Sequence, residues 1–140
     1  MISGMHDGQP RQVVTELFSP PRVNARITRQ KIAGMSGGTS FDLVADAVTG
    51  KPWDFLDAGE RRRCWQRLKS EDPWVVIGSP PCTAFNILNI GLNRNRDDPA
   101  ERNRKETETQ VLLASATSVY TWQARRGRYF VHEHPASASS

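Results

Sequence analysis

At 140 residues the chain is long enough for one domain with a layered core and too short for two independent ones. Its 37% apolar and 24% charged residues, with four tryptophans, are those of a chain that folds, and no apolar run reaches the length of a membrane span. A net charge of +4 suits an anionic partner, nucleic acid before membrane. Cys64 and Cys82, eighteen residues apart, form neither a CxxC pair nor a zinc spacing, so a reduced, intracellular chain is expected.

In chain order, residues 1–12 are polar, interrupted by Gly4, Gly8 and Pro10, and are expected to be a flexible segment rather than a signal peptide or anchor. Residues 13–18 read as a strand closed by Ser19-Pro20-Pro21. Pro21 suits the first position of a helix, which the spacing of Val23 and Ile27 predicts over residues 22–33 with Gly34 as its stop. Gly37-Gly38 predicts a turn before a short strand over 39–44, and Gly50-Lys51-Pro52 a further break. Asp57-x-x-Glu60 is a capping-box pattern opening a helix to about residue 70. Cys64 and Leu68 share the apolar stripe of that helix, and Arg61, Arg62, Arg63 and Arg67 are expected to form a solvated face.

The organising stretch is Val75-Val76-Ile77-Gly78-Ser79-Pro80-Pro81-Cys82. Its β-branched run reads as a buried strand, and two prolines, which cannot donate to a ladder, end it. Cys82 is then presented at the strand's carboxyl end, where open α/β sheets bind ligands. An unpaired cysteine is commonly just a small buried hydrophobe, but this context favours a nucleophile. Residues 86–98, rich in Asn, Gly and Arg, read as a surface loop carrying Arg94 and Arg96. Asp98-Pro99-x-Glu101 starts a helix predicted to reach about residue 126, and residues 128–135 form a last strand and its terminal turn. The expected division is a flexible segment 1–12, an α/β domain 13–135, and a tail 136–140 that stops as though inside a larger unit. Alternating strands and helices imply a mostly parallel sheet with helices on both faces, strands 13–18, 74–78 and 129–133 being neighbours. Glu133 and Cys82 would then share one sheet edge, a thiol beside a carboxyl group, as covalent catalysis with an acid partner requires.

With these residues in place, the chain resembles the cytosine-C5 DNA methyltransferases. Ser79-Pro80-Pro81-Cys82-Thr83-Ala84-Phe85 is similar to their nucleophile motif, and Phe130-Val131-His132-Glu133 to the strand that carries their Glu-Asn-Val motif. Glu16-Leu17-Phe18 looks like their opening Asp-Leu-Phe, and Trp53-Asp54-Phe55 like their Gly-Asp-Ile turn. Pro-Pro-Cys-Thr, Gly-Arg-Tyr-Phe and His-Glu-His-Pro also resemble methyltransferase-like segments of mobile-element polyproteins. The resemblance implies a Rossmann-like S-adenosylmethionine-dependent methyltransferase fold, incomplete at its carboxyl end, and DNA as the partner. It implies Cys82 as nucleophile and a protonated, buried Glu133 at cytosine N3. It implies Phe18, Asp54, Phe55 and Pro81 around S-adenosylmethionine, with the ribose acid either Asp42 or Asp46, Asp42 being favoured.

The departures are equally specific. Pro20-Pro21-Arg22 stands where the family has a glycine-rich loop, and His134-Pro135 replaces Asn-Val. The family's remaining motifs do not occur before residue 140. Two alternatives therefore stay open: a degenerate, non-catalytic nucleic-acid-binding domain, and an amino-group methyltransferase in which Cys82 occupies the usual aromatic position. The zinc-deaminase order of motifs is reversed and its second cysteine is absent, so no metal is expected.

Overall fold

The computed structural model describes residues 5–6, 9–80 and 99–133. Two short strands, β1 (Met5–His6) and β2 (Gln9–Pro10), pair antiparallel, where the composition predicts no regular structure. A ladder of two residue pairs is too short to leave a periodic signal in sequence. The main sheet comprises β3 (Gln12–Leu17), β4 (Met35–Phe41), β5 (Val75–Gly78) and β6 (Tyr129–His132). Its order is β4-β3-β5-β6 and every pairing is parallel. Val14–Leu17 register against Val75–Gly78, which in turn register against Tyr129–His132, so the three strands expected to be neighbours are neighbours.

The connections are α1 (Val23–Gln30), α2 (Ala58–Glu71) and α3 (Pro99–Arg125). Successive strand residues face opposite sides: Glu16 reaches the first turn of α1, whereas the Thr15 hydroxyl donates to Glu71 of α2. These two helices therefore lie on opposite faces of the sheet. Trp65 of α2 meets Trp122 of α3 edge-on at 5.5 Å, so α2 and α3 share a face. The apolar core sits there, built from Leu17, Phe41, Leu68, Val76, Ala116 and Val119 with an aromatic group of Phe18, Trp53 and Phe55. Cys64 is buried in that core, and burial pushes its thiol well above the ordinary range, as expected of a packing residue. On the α1 face, by contrast, Asn24, Ser40 and Glu16 are buried beside Val14 and Ile27.

Local rules explain most boundaries. Asp57 accepts the Glu60 amide at 3.0 Å and starts α2, which ends at a left-handed Asp72. Asp57→Ala is expected to destabilise the fold by about 1 kcal/mol, read as a lower urea midpoint at unchanged slope. Near the other end of α3, fully buried Gln123 donates to the Pro73 and Tyr129 carbonyls at 3.2 and 2.8 Å, tying the helix to the entrances of β5 and β6.

Two expectations fail for physical reasons. Helix α1 stops earlier than Ala33, because Lys31 already adopts the left-handed cap conformation at φ 49°. The Gly37-Gly38 pair makes no turn; it lies within β4, which starts earlier and runs longer than residues 39–44. A Cβ on Gly38 would fall 2.9 Å from Val13, the Val14 carbonyl and Glu71, so this glycine serves close approach rather than chain reversal. The segment holding Pro81, Cys82, Phe85, Arg94 and Arg96 lies outside the described residues, as do His134 and Pro135.

Candidate functional site

The order β4-β3-β5-β6 reverses direction between β3 and β5, since the chain first steps from β3 to β4 and later crosses back to β5. In such sheets the carboxyl ends of the two strands at the reversal diverge and leave a crevice. What occupies that edge here is polar. Ser79, one residue past β5, donates its hydroxyl to Glu133 Oε2 at 2.7 Å. Arg22, one residue before α1, donates one guanidinium nitrogen to the same carboxylate oxygen at 3.0 Å and to Ser79 Oγ at 3.1 Å. Three side chains from three segments thus close a triangle over the ends of β3, β5 and β6.

Each corner is positioned by the sheet. The Ser79 amide donates to the Leu17 carbonyl at 3.0 Å and the Glu133 amide to the Gly78 carbonyl at 2.8 Å, so both residues extend the ladder one step. Arg22 is held from below by Glu16. This carboxylate is 1% exposed and accepts the amides of Arg22, Val23 and Asn24 at 3.0 to 3.3 Å and the Ser40 hydroxyl at 2.9 Å. Helix α1 lacks a side-chain cap of its own, and Glu16 supplies it from the strand below. The turn between them carries strain: Phe18 has φ 64°, a conformation uncommon for a residue with a bulky side chain.

The residues expected to bind cofactor fall into two groups. Phe18 and Phe55 are both buried and meet edge-on at 4.9 Å, within the aromatic group. Asp54 is exposed and, with Phe55, lines a cavity of about 310 Å³ closed by Leu43, Pro52, Leu56 and Leu112. Of the two candidate ribose acids, Asp46 is the more committed. It accepts the Val48 and Thr49 amides and the Trp53 indole, each at 2.9 Å. The Thr49 amide, then the indole, hold its carboxyl below the usual range. Asp42 is buried and uses Oδ1 to accept the Val44 amide at 2.9 Å; among the described residues nothing bonds its other oxygen.

Glu133 differs from expectation in its surroundings. Its side chain is 53% exposed rather than buried, because β6 is an edge strand and no described residue covers it. On the other side of the same edge, the Tyr120 hydroxyl lies 2.8 Å from His132 Nδ1, and burial raises the Tyr120 phenol to about 12.

Arg22 and Ser79 have roles that the motif reading did not assign. A signal existed for the first: a helix starting without Ser, Thr, Asp or Asn before it, beneath an acid inside an apolar strand. Among the described residues no group of three or more His, Cys, Asp or Glu side chains is arranged to hold a metal ion, and no helix is long and apolar enough to cross a membrane. No family model matches the chain, and neither the curated proteins nor the solved structures contain a significant match to it.

Proposed function

We propose that this α/β domain carries the catalytic half of an S-adenosylmethionine-dependent methyltransferase acting at C5 of cytosine in DNA. The observation that carries the reading is the 2.7 Å bond between Ser79 and Glu133. It joins the acid to the segment leading into Cys82, three residues on, a reach of about 10 Å when extended. Addition to a flat, electron-poor ring would need the Cys82 thiol and this carboxyl group to face one pocket.

In this mechanism the Cys82 thiolate adds to C6 of a cytosine turned out of its stack, which gives C5 enamine character. Glu133 donates a hydrogen bond to N3 as charge develops there. Ser79 and Arg22 both bond its Oε2, and among the described residues Oε1 has no partner, which leaves that oxygen for the incoming base. After methylation at C5, loss of the C5 proton allows the Cys82–C6 bond to break and releases the thiolate. S-Adenosylmethionine would supply the methyl group. Asp54 and Phe55, which line one cavity, would face its adenine, and Asp42 at the end of β4 would take the ribose hydroxyls, with Phe18 packed against Phe55.

A second reading is a non-catalytic nucleic-acid-binding domain of the same fold. Glu16 favours it, because this carboxylate takes up the backbone amides at the start of α1 and thereby fills the loop after β3 from within. The two readings separate on DNA containing 5-fluorocytosine, where fluorine blocks the final elimination. The expected result is a covalent protein–DNA adduct that survives denaturation, is lost in Cys82→Ser, and is strongly reduced in Glu133→Gln. Methyl transfer that persists in Cys82→Ala would point instead to an exocyclic amine. DNA binding with neither adduct nor transfer would leave the non-catalytic domain.

A further inference from the structure

A second concave surface lies away from the carboxyl edge. Strand β4 pairs with β3 on one side, and among the described residues no strand pairs on the other. Along that free side runs a groove of about 720 Å³. Gly37 to Ser40 form its floor, α1 one wall and α2 the other. Since α1 and α2 sit on opposite faces of the sheet, the groove wraps round the sheet's edge and gathers Arg29 from one helix with Arg63 and Arg67 from the other.

Its charge is unbalanced. Helix α1 contains two arginines and no acid, and α2 four arginines and a lysine against two glutamates. The two helices therefore carry more than the whole chain's net +4. The carboxylates lining the groove are already engaged from within. Glu71 takes the hydroxyls of Thr15 and Thr39, and Asp46 the Trp53 indole and two amides. The arginines are less committed. Among the described residues Arg29, which is exposed, has no bonding partner, and Arg67 reaches only the Thr39 hydroxyl, at 3.3 Å. Arg63 pairs with Glu60 at 2.7 Å and lies 4.8 Å above the Trp53 ring.

An independent observation marks the floor. Asn24 is 5% exposed and lines the groove; its Nδ2 donates to the Gly38 carbonyl and Ser40 Oγ, both at 3.2 Å. Its Oδ1 is buried with no partner, and a buried acceptor left unpaired is unusual enough to point to a missing donor. A ligand that suits the groove therefore brings several negative charges and at least one hydrogen-bond donor.

We propose that this groove binds a single strand of nucleic acid, with Arg29, Arg63 and Arg67 on its phosphates. Phosphates meet the arginines, and base amino groups or sugar hydroxyls supply the donor. An acidic peptide added as a further strand fits less well, because the pairing of β4 is broken by a bulge beside Gly38 and Thr39, and bulges disfavour edge pairing. The inference stands without methyl transfer: the groove lies on the flank of the sheet and uses neither Cys82 nor Glu133.

The test is fluorescence anisotropy of the whole chain with labelled oligothymidylate, which has no cytosine and so separates binding from any chemistry. Binding should weaken with salt, and Arg29→Ala and Arg67→Ala should each lower the slope of log K against log salt by about 1. Arg104→Ala, a matched charge loss on α3 where Arg104 pairs with Glu101 and Glu108, should leave that slope unchanged. All three arginines are exposed, so circular dichroism should report intact folds. Absence of binding at about 50 mM salt, or an equal loss in Arg104→Ala, would overturn the proposal. Displacement of the oligonucleotide by oligoglutamate at matched charge would also overturn it, in favour of an acidic peptide.

Discussion

Glu16→Ala is expected to lower stability by about 3 kcal/mol, a large share of what a domain of this size has. The substitution removes a carboxylate that is 1% exposed and leaves its partners behind. Three amides at the start of α1 and the Ser40 hydroxyl then lose a charged acceptor, and those of Asn24 and Ser40 are buried away from water. Because Arg22 is one of these partners, the triangle with Ser79 and Glu133 should loosen at the same time. Glu16→Gln keeps one oxygen but turns an NH2 toward amide donors, so it should fall between alanine and wild type. Urea unfolding followed by circular dichroism measures the series. Near-equal stability of wild type and Glu16→Ala would mean that the α1 amides find other acceptors.

Gly78→Ala should be comparably damaging, at about 3 kcal/mol, through overpacking. The added Cβ would stand 1.8 Å from the Tyr120 hydroxyl and 2.8 Å from Cζ of that ring. Neither side can yield cheaply. Gly78 sits in a strand paired on both edges, and Tyr120 stacks on Phe130 with ring centroids 4.5 Å apart. Tyr120→Phe alone should cost about 1 kcal/mol, from the lost contact with His132. The double variant should be less destabilised than the sum of the two, by 1 kcal/mol or more, since removal of the hydroxyl relieves the worst contact. Strict additivity would place the damage in the strand backbone instead of at the ring.

The two glycine positions show what could be read before the tertiary structure was known. Gly37-Gly38 and Gly78 look alike in sequence, as punctuation beside apolar runs. In the fold Gly38 and Gly78 are places where a neighbour from a distant part of the chain passes too close for a Cβ, and that neighbour leaves no local trace. The strands were legible because Val75-Val76-Ile77 and Tyr129-Phe130-Val131 are apolar runs bounded by prolines and glycine. The cap of α2 was legible because Asp57 and Glu60 act on their own helix. Parallel adjacency of β3, β5 and β6 followed from the alternation of strands and helices, which leaves few ways to cover both faces of a sheet.

The sequence by itself determined the open α/β layout and placed Glu133 at a strand end, because both follow from period, punctuation and order along the chain. Only the tertiary structure decided what that carboxylate touches. Arg22 lies 111 residues away from it, and the approach depends on Glu16 holding the start of α1 against the sheet. Similarly, Arg62, Arg63 and Arg67 of α2 are solvent-exposed as expected, and only the fold sets Arg63 and Arg67 along one groove with Arg29. Periodicity reports which side of an element turns inward; it carries no information about which charges from other elements arrive beside it.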